Sequence, residues 1–331
     1  MKGLTWVVWR QHRLVAWTML AFAVAAACYL GYRFHQQHAF QQDNGIVDCD
    51  ILLPTCHGKP VPDANVHQTG SVTHTFATTY REVLLDAGSA VPYVPVLIAV
   101  FMGAPLFARD LESGTYRLAI TQSVSPRRWL AAKLTFALAL TLCVSLVMTA
   151  AYGWWWHSTW RDFGDLAWES PATFYGTGPV AVAIALLGVV LGATVGLIVR
   201  RTLPAMVITL GACYGVLSLL LEWRPAEHLW PLSTARAAAP NANVELPRYA
   251  EYHFEGYQTS SGEKLSHMLC DGANPDRVSR CLERHDVVSH IIEYHPASAY
   301  WPMQWVLAGI CLALAVALFA GCLWWVGRRT A

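Results

Sequence analysis

Six stretches of this chain are long, apolar and free of charge in their interiors: Leu14–Tyr32, Val91–Ala108, Leu134–Trp156, Pro179–Val199, Leu203–Glu222 and Met303–Val326. A bilayer core of about 30 Å takes around 20 apolar residues in a helix. Inside hydrocarbon every backbone N–H and C=O must be satisfied within the protein, which the helix does by itself. The six runs therefore predict an all-α integral membrane protein with six transmembrane helices. Buried helices of a soluble protein are the alternative, but only 14% of the 331 residues are charged, against about 25% in soluble domains. Leu14–Tyr32 follows Lys2, Arg10 and Arg13 as a signal peptide would. It exceeds the roughly 7–15 residues of a signal core and reads as a retained first span.

Lys and Arg gather on the cytoplasmic side of membrane proteins. With the N-terminus placed there, the inner segments are residues 1–13, 109–133, 200–202 and 327–331, which hold 12 of the 23 basic residues but only Asp110 and Glu112 of the 22 acidic ones. The longer outer segments hold 19 of the other 20 acidic residues, and Glu222 stands at the outer end of the fifth span. Both termini are thus expected on the cytoplasmic side of the membrane. Trp154, Trp155, Trp156, Trp160, Trp301 and Trp305 fall at outer boundaries and Trp324 and Trp325 at an inner one, where indole prefers headgroup depth. The overall charge of +1 offers nothing to nucleic acid.

Two segments are expected outside the membrane. Residues 33–90 are polar and weakly patterned, and residues 223–302 are better organised. Within the second, Ser261–Leu269 and Pro275–Ile292 read as helices joined by a turn at Asp271–Asn274, giving an αα-hairpin. Cys28, Cys143, Cys213, Cys311 and Cys322 lie in spans, where a thiol is a small apolar side chain. Cys49, Cys56, Cys270 and Cys281 lie outside, in a compartment that favours disulfides. Of three connectivities, Cys49–Cys56 with Cys270–Cys281 is preferred, because the second would staple the hairpin; free thiols are the alternative. Twelve of the 13 histidines also lie outside. His285, His290 and His295 are spaced by five, only His290 and Glu293 could share a helical face, and there is no HExxH or paired CxxC. No metal site is expected on that spacing.

The loop between the second and third spans carries the most information. Ser113-Gly114 interrupts the helix leaving the membrane, Thr115 to Gln122 can form about two turns with Thr115 as N-cap, and Ser125-Pro126 is a helix restart. A short helix framed in this way suits docking on a soluble partner and passing its movement to both flanking spans. An ordinary basic loop that only enforces topology is the alternative.

This loop resembles the first cytoplasmic loop of type-2 permeases of the ATP-binding-cassette transporters, and is closest to their actinobacterial branch. The likeness is carried by Glu112, Gly114-Thr115, Arg117-Leu118, Thr121-Gln122-Ser123 and Arg128-Trp129-Leu130-Ala131-Ala132-Lys133, with Thr5–Gln11 resembling the family's N-terminal interfacial elbow helix. The resemblance implies that Arg109, Glu112, Gly114, Thr115, Tyr116, Arg117, Leu118 and Gln122 belong to a coupling helix that meets a separate ATPase subunit. It implies a second permease copy as well, in a homodimer or with a related chain. The chain has no GxxxxGK[ST] phosphate loop, so ATP and magnesium would bind the partner and no cofactor is expected here. The organisation then reads as residues 1–32 for elbow and first span, 33–90 for the first outer segment, and 91–222 for spans two to five with the coupling loop 109–133. Residues 223–302 form a helical outer domain and 303–331 the last span and tail.

Gly188, Gly192 and Gly196 in the fourth span and Gly211 and Gly215 in the fifth predict close helix packing, within the hairpin that Arg200-Arg201-Thr202 closes. Pro105 should kink the second span. The absence of mid-membrane charge speaks against an ion channel or proton antiporter and for an amphipathic or hydrophobic cargo: an antibiotic, a peptide or a lipid-like molecule. The expected function is export as a non-enzymatic permease subunit. A sensor or scaffold on the same fold, with the outer segments as receptor, is the second reading, and a metal-handling membrane protein the third.

Overall fold

The computed structural model describes residues 2–45, 49–50, 55–56, 59–60, 72–116, 125–159, 168–237, 239–240, 242–247, 250–270 and 275–329. They divide into two compact units, one of residues 1–166, 170–225 and 304–331 and one of residues 167–169 and 226–303. Among the described residues six helices are long and apolar enough to cross a membrane: Trp6–Asp43, His74–Glu112, Pro126–Thr159, Gly178–Val199, Thr202–Glu222 and Ala297–Val326. Each contains or overlaps one of the predicted spans.

The first helix runs unbroken from Lys2 to Asp43. At 1.5 Å per residue it is about 63 Å long, roughly twice the bilayer core. The elbow expected at the N-terminus is therefore not a separate element. Its cause lies in the sequence, since Leu4–Leu30 contains no Gly or Pro to break the helix. The second span is composite. Its α-helical turns are interrupted by π turns at Ala77–Arg81 and Ala99–Gly103 and by a 3-10 turn at Val91–Tyr93. Pro105 explains the second π turn: it has no N–H, and its ring would strike the carbonyl four residues back. The wider turn makes room, and Ala104 N–H reaches back five residues to the Ala99 carbonyl at 2.8 Å.

The close packing expected of the fourth-span glycines is present, chiefly against the second span and in part against the fifth. A Cβ on Gly196 would lie 2.2 Å from the Ala104 carbonyl oxygen, and one on Gly192 would lie 2.6 Å from that of Ala99 and 3.1 Å from Thr209 Cγ2. Gly103 answers from the other side, where a Cβ would meet Val189 O at 2.8 Å. Gly188 makes ordinary contacts with Ala99 and Pro95. The close approach thus joins spans four and two at the π turn. Gly211 and Gly215 face open space among the described residues, so these two glycines make no close approach there.

Two buried glutamines tie the helices further. Gln37 Oε1 accepts the Trp155 indole N–H at 2.7 Å, and its amide lies 3.3 Å from Thr159 Oγ1. Trp155 is fully buried, so it is an interior anchor and no part of an aromatic belt; Trp154, Trp301, Trp305 and Trp324 are exposed as lipid-facing rings would be. Gln304, also fully buried, accepts from Val180 N–H at 3.1 Å and donates to Phe174 O at 2.7 Å. It thereby satisfies one of the orphan donors at the start of the fourth span.

The second unit overturns the helical hairpin. It is built on a four-stranded antiparallel sheet of strands β4 (Ser233–Arg236), β5 (Glu251–Thr259), β6 (Lys264–Ser266) and β7 (Val287–His295), in the order β4-β7-β5-β6. Of the two expected helices only Pro275–Arg284 forms. The reason is the run Val287, Val288, Ile291 and Ile292, whose β-branched side chains suit a pleated surface; the aromatic strand β5 supplies its partner. The larger segment outside the spans is thus mixed α and β and not helical as expected, while the chain as a whole is mostly helical with six candidate spans. The expected Cys270–Cys281 disulfide is present and joins the turn His267–Cys270 to that helix. The five cysteines in spans are free. A small three-stranded element, β1 (Cys49–Asp50), β2 (Thr55–Cys56) and β3 (Lys59–Pro60), sets Cys49 opposite Cys56 in its backbone register; the expected bond between them falls outside the described side chains.

Replacing Gly196 by Ala forces the fourth span off the second, and an overpacked contact of this kind costs about 2 kcal/mol. Thermal unfolding in detergent should show a lowered midpoint for Gly196→Ala and no loss for Gly211→Ala.

Candidate functional site

The loop end of the second span is where the predicted coupling residues meet the rest of the chain. Helix Pro105–Glu112 closes at Ser113, whose backbone N–H and hydroxyl both reach the Arg109 carbonyl, at 3.0 and 2.8 Å. Gly114 follows at φ +73, the left-handed position past a helix end that glycine takes at little cost. Helix resumes at Thr115–Tyr116, with Thr115 Oγ1 3.0 Å from Ser113 Oγ. The break-and-restart expected here is thus present at its first half. Its far side is present too: Ser125 Oγ accepts from Arg128 N–H at 3.4 Å, and the third span starts at Pro126. Arg117, Leu118 and Gln122 lie outside the described residues.

Two polar ties secure the end of the second span. Glu112 Oε2 accepts from both the backbone N–H and the hydroxyl of Thr202, at 2.9 and 2.6 Å. Thr202 is the first residue of the fifth span, so the carboxylate sits on the donors at a helix N-terminus, where the helix dipole also favours negative charge. Asp110 pairs with Lys133 of the third span. The Lys133 side chain is only 2% exposed; its ammonium also donates to the Leu106 carbonyl at 3.2 Å and stands over the Trp129 ring at 5.4 Å. Trp129 in turn packs on the buried Phe107, with ring centroids 5.2 Å apart.

Of the coupling residues singled out in the sequence, Arg109, Glu112, Gly114, Thr115 and Tyr116 are described, and they occupy a single turn and its continuation. Glu112 is engaged within the chain. Sequence reasoning missed Asp110, Lys133 and Thr202 as members of this arrangement. A signal was present, since Lys133 lies deeper in the third helix than Arg127 and Arg128, a place where a cation calls for an acidic partner.

A helical body with six candidate spans, with the second pinned near its loop end to the third and the fifth, defines a multi-pass membrane protein. The model of the ABC-2 membrane transporter related family matches residues 19–224, more than half of the chain, and the chain belongs to that family. It is accordingly of the permease type, the membrane subunit of an ATP-binding-cassette transporter, and the family implies an ATPase partner. The match ends before the sheet unit and the last span. No curated protein and no solved structure is significantly similar to the chain.

Removing one partner of a buried ion pair strands the other, at about 3 kcal/mol. Asp110→Asn should lower thermal stability by that order, and Lys133→Met with Asp110→Asn should recover most of the loss; a double-mutant cycle on the unfolding midpoint measures it.

Proposed function

We propose that this chain is the permease half of an ATP-driven exporter in a bacterial plasma membrane. In this reading both termini are cytoplasmic, and the helix that starts at Thr115 is the coupling helix, docking on a separate ATPase that binds ATP and magnesium. Two permease copies would enclose the pathway. The observation that carries the reading is the pair of ties at the root of the loop, Asp110 with Lys133 and Glu112 with Thr202. A push on the loop helix pivots at Gly114 and is delivered to the end of the second span. From there the ties pass it to spans three and five, and the glycine contact passes it to span four. Orientation is supported by the concentration of Lys and Arg in the short segments at this side.

The cargo is proposed to be amphipathic or hydrophobic. A small apolar depression lies between spans two, four and five, lined among others by Pro95, Val96, Ile184, Gly188, Cys213 and Leu217. Such a surface offers apolar contact and gives a small ion no ligand.

The test uses the ATPase that co-purifies with the tagged chain from native membranes, reconstituted in liposomes. Glu112→Ala is expected to leave the complex intact and to cut transport per ATP by about fivefold, the low end of ordinary coupling between sites. Transport and ATP turnover both unchanged in Glu112→Ala and in Thr115→Pro would remove the coupling role from this loop.

A further inference from the structure

In the sheet unit, three metal-ligating side chains from distant parts of the sequence converge. His253 lies on β5 and His295 on the neighbouring β7, while Glu169 comes from the short segment 167–169 that belongs to the same unit. His253 Nε2 is 2.9 Å from Glu169 Oε1 and 2.9 Å from His295 Nδ1, and these last two atoms are 3.6 Å apart. Glu169 and His295 are buried, at 4% and 0% exposure, and His253 is open on one side.

The backbone is shaped for this meeting. The β5–β7 register passes from Tyr252↔Tyr294 directly to Phe254↔Glu293, so His253 is the extra residue of a β-bulge. Bulges re-aim a side chain and are common beside functional sites. The proton inventory points the same way. His295 Nε2 lies 3.3 Å from the Trp230 carbonyl. A carbonyl only accepts, so Nε2 carries the proton and Nδ1 presents its lone pair to the cluster. An imidazole held through its far nitrogen by a backbone carbonyl is the usual second-shell support of a metal ligand. The Glu169 carboxylate likewise presents lone pairs. Two acceptor atoms therefore converge on Nε2 of His253, and with that nitrogen deprotonated the three present their lone pairs to one point.

We propose that Glu169, His253 and His295 form a site for a divalent cation of the zinc class, with three protein ligands and a fourth position on the open side of His253. Tetrahedral zinc with bonds of about 2.0–2.1 Å sets its ligands about 3.3 Å apart. The observed separations of 2.9, 2.9 and 3.6 Å bracket that value. Entry of the ion costs shifts of a few tenths of an ångström and the release of the His253 Nε2 proton to solvent. Two imidazoles and one carboxylate suit zinc and its neighbours, and do not suit magnesium or calcium, which take oxygen. The donor set contains no thiol, as fits a unit whose Cys270 and Cys281 are oxidised to a disulfide. The inference rests on the sheet unit alone and is independent of the transport reading.

The full chain is purified in detergent through a tag without histidine, stripped with EDTA, and titrated with Zn²⁺, with Co²⁺ as the spectroscopic probe. About one equivalent of zinc per chain should survive gel filtration, and Co²⁺ should give the intense visible bands of a tetrahedral site. His253→Ala should abolish both, and Glu169→Gln should weaken binding by at least about tenfold. His253 is partly solvent-exposed, so its substitution should spare the fold, which retention of the Cys270–Cys281 bond checks. His290→Ala, a neighbour on the same sheet whose ring lies 3.3 Å from Glu255, should bind as the parent does. Wild-type zinc below about 0.2 equivalent, or zinc binding unchanged in both His253→Ala and Glu169→Gln, would overturn the site and leave a hydrogen-bonded cluster that merely holds the bulge.

Discussion

Within lipid, helices gain nothing from the hydrophobic effect when they meet, because tails are as apolar as side chains. What holds them is close backbone approach, and in this chain that approach is concentrated where Gly192 and Gly196 lie against Ala99 and Ala104, with Gly103 returning the contact. The second span is thereby fixed along the part that leads to its loop end. Asp110 and Glu112 then stand where they can reach Lys133 and Thr202. Spans two, three, four and five are coupled through that one helix, by van der Waals contact at its middle and by charge at its end.

The membrane part was legible because hydrocarbon imposes so simple a rule. A run of some 20 apolar residues without charge has one main use, and Leu134–Trp156 or Met303–Val326 announce it without help from neighbours. Partners were less legible than spans. Gly188, Gly192 and Gly196 declare that something approaches closely, but the spacing is silent on what, and the second span takes most of the contact. Trp155 shows the same limit from another side, since an indole at a boundary serves equally as a belt residue or, given Gln37, as an interior donor.

The sheet unit was the least legible. Val287–His295 carries both a helical and a strand reading over nine residues, and only its pairing with Glu251–Thr259, an element the sequence did not mark, decides between them. The Glu169, His253 and His295 cluster had no local signature at all. Its members stand 84 and 42 residues apart, so it exists only after the bulge, the strand pairing and the packing of Glu169 have brought them together. The disulfide was legible for the opposite reason: Cys270 and Cys281 are 11 residues apart in sequence and close over a single turn.

The π turn at Ala99–Gly103 sets the clock of the helix that follows it. A π turn holds one residue more than the α turn it replaces, and each residue advances an α-helix by about 100°. Every side chain beyond Ala104 is therefore rotated by that angle relative to an uninterrupted helix. A face ruled from Val94 onward would miss Asp110 and Glu112 by more than a quarter of a revolution. The proline that looked like a flaw near the end of the span is, in this light, what decides which way its last two carboxylates look.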